Sequence, residues 1–472
     1  MKVRGIVGWL AAWWAAIGLA VVAGCGGGVG SGGTGMSAGV AQGTVNGFGS
    51  VIVDGERFDD SQVATFTETE PGVQTQTTAR LGERVEVEYE GGAAMRLNVD
   101  AALVGGVDAM NAPGGFTILG QVVGVNADAR RGPVTQFGGG YTGLASLQPA
   151  DAVEVHGFVV RGTDGSYTIQ ATRVERLAAA PRYLRLTGLV GVVDGAGFQL
   201  GAMRVEARTA AVLPAGRSLA EGQRVSVLAP ADSLAGAPGA APHVRAAQVR
   251  IRVLGEPGAE VQLSGVVARF DAPGRRFDLG GTAVDYAGAA VRPDAAALAD
   301  GRYVQLSGTL QPDGSVLAAT VRVRDGSGEA EAELKGNVDG YDPLTLRFSV
   351  RGVAVDASGA EVGGCPGGTL AEGLFVELEG ALGPTGVIAK KVECEDEPGD
   401  ATVERKGTAG AADLAASSFV LTPGSGEPVT VRWSDITYFE KVDLATLAGQ
   451  RVKVEGRLVD GVLVAKKVER DD

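Results

Sequence analysis

Histidine, cysteine and aromatic residues are scarce: the 472 residues include two histidines, three cysteines and 5% Phe, Trp and Tyr. His156 and His243 cannot form a multi-histidine metal site, and we expect both on the solvated surface, His156 at an outward strand position and His243 in a loop. No glycine-rich stretch is followed by Lys-Ser or Lys-Thr, which excludes a phosphate-binding loop. The sequence therefore predicts a protein that is not an enzyme and that has no metal or other cofactor.

The charge balance is acidic, with 56 Asp and Glu against 42 Lys and Arg and a net charge of −14. An acidic surface repels phosphate backbones, so nucleic acid is not an expected partner. Apolar residues still make up 45% of the chain. Because they fall in short alternating runs between glycines, they predict half-buried strands.

The N-terminus has the pattern of a secretory signal, predicted over residues 1–24. Lys2 and Arg4 precede an apolar run from Ile6 to Val22, and small residues then precede Cys25. Val22-Ala23-Gly24-Cys25 resembles a bacterial lipobox, although Val22 stands where leucine is usual. The resemblance implies cleavage before Cys25 and lipidation of that cysteine, which would anchor the protein in the membrane. A plain signal peptide or an N-terminal membrane anchor is the alternative.

Residues 25–41 are predicted to form a glycine-rich flexible tether. Gly26, rather than an aspartate, follows the cysteine, and this resembles lipoproteins sorted to the outer membrane. The expected location is therefore the cell envelope, at the outer membrane and facing the periplasm or the cell surface.

Cys365 and Cys394 remain once Cys25 is assigned to the lipid. In an oxidising compartment an even pair favours a disulfide, which here would close a loop of about 30 residues. The alternative is a reactive thiol at Cys365, but a cysteine nucleophile usually needs a nearby base, and both histidines lie in other repeats.

Six similar units of about 60 residues follow the tether, at intervals of about 70 residues. Each opens with a glycine before small or apolar residues: Gly43, Gly120, Gly188, Gly265, Gly336 and Gly407. The predicted repeats span residues 42–105, 116–178, 183–254, 260–325, 332–395 and 403–470. This period is too long for a solenoid and predicts a string of small domains.

Within a unit the pattern predicts three strands, a short helical turn with a leucine, and a final hairpin. The last copy of the hairpin is Val452-Lys453-Val454-Glu455-Gly456 followed by Asp460-Gly461 and a second strand. Glycine supplies the positive φ of such a turn. The predicted fold class is all-β, with about six tandem five- or six-stranded barrels of the OB type. A small open sandwich is the alternative.

The segment from Gly43 to Gly55, GTVNGFGSVIVDG, resembles the start of the domain-of-unknown-function 5666 family. That family recurs in tandem in proteobacterial lipoproteins. The resemblance implies an envelope location and a repeated β-fold, and it supplies no catalytic residues.

Two classes of function follow. The leading hypothesis is a non-enzymatic, lipid-anchored envelope protein whose barrels bind or scaffold an envelope protein or glycan. The alternative is a carboxylate-dependent enzyme that acts on envelope polymers. Carboxylates are paired at Glu86 with Glu88 and at Glu377 with Glu379. Such pairs could act in this enzyme or contribute to a calcium site, and they are equally typical of the solvated face of a strand.

Overall fold

The computed structural model describes residues 38–236, 242–324, 332–395, 402–424, 426–434, 437–459 and 461–471. The predicted signal peptide, Cys25 and most of the tether lie outside these residues. Gly39, Val40 and Ala41, which we expected in the tether, belong to the first strand instead.

The strands fall into six successive groups, numbered here as repeats 1 to 6. Repeat 1 contains β1 (Gly39–Phe48), β2 (Val51–Val53), β3 (Glu56–Phe58), β4 (Thr65–Glu70), β5 (Val73–Thr77), β6 (Arg84–Glu90) and β7 (Ala93–Val99). Repeat 2 contains β8 (Leu103–Asn111), β9 (Gly115–Ile118), β10 (Gln121–Val125), β11 (Gln136–Gly138), β12 (Ala152–Arg161) and β13 (Tyr167–Arg176). Repeat 3 contains β14 (Tyr183–Asp194), β15 (Gly197–Leu200), β16 (Met203–Glu206), β17 (Ala211–Leu213), β18 (Arg224–Pro230), β19 (His243–Arg245) and β20 (Gln248–Ile251).

The last three groups are more regular. Repeat 4 contains β21 (Glu260–Asp271), β22 (Arg276–Leu279), β23 (Thr282–Asp285), β24 (Ala290–Arg292), β25 (Tyr303–Leu310) and β26 (Val316–Val323). Repeat 5 contains β27 (Ala332–Asp342), β28 (Arg347–Val350), β29 (Val353–Asp356), β30 (Glu361–Gly363), β31 (Phe375–Gly383) and β32 (Gly386–Cys394). Repeat 6 contains β33 (Thr402–Ala409), β34 (Ser418–Pro423), β35 (Val429–Arg432), β36 (Tyr438–Glu440), β37 (Arg451–Val459) and β38 (Val462–Arg470).

Pairing within a repeat closes a small barrel. In repeat 4, β21 pairs with β22, β22 with β23, β23 in parallel with β26, β26 with β25, and β25 with β21. The short β24 adds a second parallel pairing to β26. Repeats 5 and 6 have the same connections, so the predicted all-β fold of small, OB-like barrels is confirmed.

A recurring glycine in the next-to-last strand of the repeats has a backbone role. At Gly157, Gly308, Gly380 and Gly456 the register to the last strand shifts by one residue, which is a β-bulge. A Cβ at Gly456 would lie 2.1 Å from the carbonyl oxygen of Val464. Only glycine allows the two backbones to approach this closely, and the bulge bends the hairpin around the barrel.

A leucine closes one end of most barrels, as predicted. Leu81, Leu147, Leu298, Leu370 and Leu447 are buried, and Leu219 is partly buried. The residue that turns the chain into the next-to-last strand has positive φ, and it is glycine in five repeats and Ala150 in repeat 2. The second-strand phenylalanines Phe198, Phe277 and Phe348 are buried, so their prediction as core residues is confirmed.

Repeat 2 begins earlier than the predicted opening glycine. Gly105 in β8 pairs with Val153 of β12, as Gly265 pairs with Val304 of β25 in repeat 4. Gly120 instead forms the turn between β9 and β10, with φ of 69°. The sequence pattern favours Gly120 as the opening glycine because β8 has no apolar residue directly after Gly105.

The repeats do not form a string. β1 pairs in parallel with β21 of repeat 4 and, at its other end, with β27 of repeat 5. β8 of repeat 2 pairs with β14 of repeat 3. Repeats 1 and 5 share one hydrophobic core, and repeats 2 and 3 share another, whereas repeats 4 and 6 each have a core of their own. Repeat 1 is therefore the centre of a packed assembly of barrels.

Helical structure in the described ranges is limited to short 3-10 turns. In that part of the chain, no helix has both the length and the apolar character required to span a bilayer.

Candidate functional site

The two cysteines predicted to pair are joined by a disulfide in the structure. Cys365 lies before the 3-10 turn Pro366–Gly368, and Cys394 ends β32, with 4.8 Å between their Cα atoms. Gly367 of that turn lies against the ring of Tyr438 in repeat 6. The disulfide therefore ties the turn that contacts repeat 6 to the barrel of repeat 5.

His156 is not on the surface, contrary to the sequence-based expectation: its side chain is fully buried between repeats 1 and 2. Its Nδ1 accepts a hydrogen bond from the backbone N–H of Arg84 (3.4 Å), and its Nε2 lies 2.9 Å from Glu154 Oε1. On a single barrel, the side chain of His156 would face solvent. It is buried here because repeat 1 packs against this side of repeat 2. His243, expected in a loop, is half-buried in the short strand β19.

Two carboxylates meet at this joint, and both have cationic partners. Glu83 is buried and accepts the Arg80 Nε–H at 2.8 Å and the Arg80 backbone N–H at 2.9 Å. Arg80 also lies 3.2 Å from Glu175. Burial alone would raise the pKa of Glu154, but the hydrogen bond from His156 and the nearby charges lower that pKa to about 2.

This cluster has the residue types of a cation site, since oxygens of Glu83 and Glu154 and a nitrogen of His156 lie within 4.8 Å of one another. Its hydrogen bonds do not suit a metal. A histidine that binds a metal through Nε2 normally donates its Nδ1–H, whereas here Nδ1 accepts from Arg84. Arg80 already occupies an oxygen of Glu83. The arrangement is a structural ion cluster. The pKa of Glu154 is lowered, whereas a carboxyl group that acts as a general acid near neutral pH needs a raised pKa.

A second set of charges joins repeat 3 to repeat 1. Arg185 lies 3.1 Å from Asp100, Arg252 contacts the same carboxylate, and Arg250 lies 3.1 Å from Glu68. Burial alone would raise the pKa of Asp100, but Arg252 and Arg185 hold it below its usual range. These residues form an interface in which each carboxylate is neutralised by arginine.

Repeat 4 joins repeat 1 through Asp54, whose side chain is 9% exposed. Tyr303 donates its hydroxyl to Asp54 Oδ1 at 2.9 Å, and Ser264 donates to Oδ2. Arg84 donates to Thr44 and Ser264, at 3.1 Å each. Polar side chains thus connect the barrel surfaces that strand pairing brings together.

The strand pattern of the sequence does not predict these interfaces, although the distribution of charge gives one signal. Residues 42–105 contain eleven acidic residues and four arginines, whereas residues 183–254 contain eight arginines and four acidic residues. Opposite charge in two repeats of one chain indicates that they pack together. The predicted carboxylate pairs are also bound: Glu86 accepts from Gln42 Nε2 at 2.6 Å, and Glu377 lies 3.2 Å from Lys335.

Repeat 1 also has a surface that the other repeats lack. Where they have a short strand of three residues, repeat 1 has the hairpin β4–β5. In the described part of the chain β5 pairs only with β4, and it is exposed along most of its length. Beside it lies an open groove of about 540 Å³, which we call the hairpin groove; its lining includes Val63, Phe66, Met95 and Arg96.

Arginines from repeat 3 hold the tip of the hairpin. Arg250 and Gln248 bind the Glu68 carboxylate, Arg185 donates to the Glu68 carbonyl oxygen, and Arg182 lies 3.2 Å from Glu70. The edge strand is therefore fixed in place.

Three segments match the family model described as a domain of unknown function, DUF5666: residues 104–175, 264–322 and 407–469. They coincide with repeats 2, 4 and 6. Among solved structures, CSD456 of Drosophila Unr is 15% identical over 47% of this chain and 99% of that chain, with a TM-score of 0.14, too low to support any inference. No curated protein matches significantly. The chain carries repeated copies of the DUF5666 domain.

Proposed function

We propose that this protein is a non-enzymatic, lipid-anchored protein of the cell envelope whose packed barrels bind and position an envelope partner. The Cys25 motif supports the anchor, and the ion pairs between repeats support a rigid scaffold. The observation that carries the binding role is the fixed, exposed edge of β5 beside the hairpin groove.

The geometry favours a polypeptide over a glycan as the partner. The free edge of a strand offers N–H and C=O groups at the spacing of another strand, so an extended peptide adds to it by backbone hydrogen bonds. Long side chains on one face of that peptide would extend over β5 into the hairpin groove, which Phe66 of β4 and Met95 of β7 line. Because repeat 1 has eleven acidic residues and four arginines, the expected segment is basic.

The alternative, an enzyme that uses carboxylates between repeats, receives little support from the Glu83–Glu154 pair. Arg80 and His156 already bind these groups, and the pKa of Glu154 is about 2. A glycosidase acid needs a raised pKa instead.

The anchor is tested by replacing Cys25. Cys25→Ser should move the protein from the membrane fraction to the soluble fraction, because a protein without acyl chains has no lipid anchor. Retention of the variant in the membrane pellet would contradict the anchor.

The binding surface is tested with a photo-crosslinking residue at Gln76 of β5, and with the same residue at Asp313 in the exposed turn of repeat 4 as a control. The expected result is a crosslink at Gln76, and none at Asp313, to a single envelope protein through a basic segment.

A matched pair of groove variants completes the test. Met95→Glu, at a residue 61% exposed in the hairpin groove, should abolish the crosslink, whereas Met110→Glu, 38% exposed on β8, should leave it intact. Equal crosslinking at Gln76 and Asp313, or a crosslink that Met95→Glu does not change, would refute the proposed surface.

A further inference from the structure

A small cavity lies where repeats 1, 2, 3 and 4 meet, and we call it the central cavity. Its volume is about 20 Å³, and its lining includes Gln42 and Arg84 of repeat 1, Phe158 of repeat 2, Arg224 of repeat 3, and Ser264 and Thr282 of repeat 4. A site of this size has room for about one water-sized particle. It excludes carboxylates, phosphates and larger ligands.

The two arginines of the central cavity have different partners. Arg84 is buried, donates to Thr44 and Ser264, and has Asp54 at 3.9 Å. Arg224 donates to the neutral Gln42 Oε1 at 2.8 Å. Among the described residues no carboxylate lies within 4 Å of Arg224, so its charge has no direct counter-charge.

The other arginines around the cavity have carboxylates as direct partners. Arg84 lies near Asp54, Arg185 and Arg252 near Asp100, and Arg250 near Glu68. Among these five arginines, Arg224 is the one without a carboxylate within 4 Å. Burial first, and then Arg252 and Arg84, lower the pKa of Arg224 to about 10, against the opposing effect of Asp100 and Glu86.

We propose that the central cavity binds one small monovalent inorganic anion, of the size of chloride, with Arg224 as its main counter-charge. The Thr282 hydroxyl and the free N–H groups of Arg224 are the available donors, since the Ser264 hydroxyl already donates to Asp54. Arg224 is partly buried, and a bound anion would supply the counter-charge that it lacks within 4 Å.

The anion would link four repeats at one point. Because the site exists only when repeats 1 to 4 are packed together, binding stabilises the packed state relative to the separated barrels. Chloride would therefore act on the stability of the assembly rather than on any one barrel.

The test is thermal unfolding, followed by circular dichroism, of the intact protein at constant sodium concentration while chloride replaces gluconate, an anion too large for the cavity. The melting temperature of the wild type should rise with chloride and reach a plateau. Arg224→Gln should lose this dependence. Arg217→Gln, the same substitution at an exposed arginine of repeat 3, should retain it.

Bromide provides a second measurement that needs no variant. Crystals grown in bromide should show an anomalous scattering peak beside Arg224. The proposal is wrong if the wild type responds equally to chloride and gluconate, if Arg224→Gln keeps the full chloride dependence, or if bromide crystals show only water in the central cavity.

Discussion

At the scale of single residues, His156 shows how one barrel completes the hydrogen bonds of another. The backbone N–H of Arg84 lies at the start of β6, and the imidazole of repeat 2 accepts it. His156→Ala should lower the free energy of unfolding by about 2–4 kcal/mol, because it leaves a cavity and an unpaired N–H. Chemical denaturation measures the loss. His243→Ala, at a half-buried residue, is the control, and an equal effect of the two substitutions would contradict the structural role of His156.

The lowered pKa of Glu154 predicts that the folded protein loses stability at low pH. Its pKa is about 2 in the folded protein against an ordinary value of 4.5, so the folded state binds its proton only at lower pH. The contribution of Glu154 to stability is thus fully present above about pH 4.5 and is lost as the pH falls towards 2.

The measurement is the melting temperature between pH 5 and pH 2. Glu154→Gln should flatten this profile, because glutamine takes up no proton, whereas Glu379→Gln, at an exposed residue of β31, should leave it unchanged. The assignment fails if the profile of Glu154→Gln matches that of the wild type.

The disulfide predicts that neither Cys365 nor Cys394 carries a free thiol. Alkylation under denaturing, non-reducing conditions followed by intact mass should find neither cysteine modified. The bond closes a loop with a sequence separation of 29. Cys394→Ala should therefore cost repeat 5 about 3 kcal/mol by loop entropy, measured by denaturation. Alkylation of the wild type at either position would contradict the bond.

At the scale of strands, Gly47 allows repeat 5 to approach β1. A Cβ at Gly47 would lie 2.4 Å from the carbonyl oxygen of Glu333, in the strand that pairs with it. Gly47→Ala should separate β27 from β1 and destabilise this joint by about 1–3 kcal/mol. Hydrogen exchange of Ala332–Asp342 measures the opening. Gly106→Ala, in a strand with open space around it, should change little, and unchanged exchange in Gly47→Ala would refute the contact.

The strands within each repeat were predictable because their signals are local. Alternating valines, the bulge glycine and the buried leucine identify a hairpin and its turn wherever they occur, as in β37 and β38. The packing of one barrel on another was not predictable. An outward carboxylate such as Glu86 has the same sequence pattern whether it faces water or Arg252 of another barrel. Contacts between charged side chains, such as Arg252 with Glu86, carry no apolar pattern that would signal burial.

At the scale of the whole molecule, repeat 6 differs from the rest. It has its own sheet and its own core, whereas repeats 1, 4 and 5 are joined by strands. Of the four tryptophans in the sequence, Trp9, Trp13 and Trp14 lie in the predicted signal peptide. Trp433 remains, and it packs against Phe419 and Phe439 of repeat 6.

In a protein that lacks the predicted signal peptide, residues 1–24, tryptophan fluorescence should therefore follow repeat 6 alone. We expect its unfolding midpoint in urea to lie below that of the circular dichroism signal, because a small isolated barrel is only marginally stable. The comparison uses one sample and two detectors. Trp433→Phe should remove the fluorescence transition and leave the other in place. Coincident transitions in the wild type would show that repeat 6 unfolds with the assembly.

The joining of distant repeats has a consequence for how the protein is made. Tyr303 binds Asp54 across 249 residues, and Gln136 binds the Gly383 carbonyl across 247 residues. A chain that crosses a membrane from its N-terminus delivers repeat 1 first, yet the partners of β1 arrive with repeats 4 and 5. Folding dominated by such distant contacts is slow. In the proposed export from the N-terminus, repeat 1 is thus the first barrel to emerge but is completed only after repeat 5 has followed. Until then its acidic surface and the edges of β1 would remain open to chaperones.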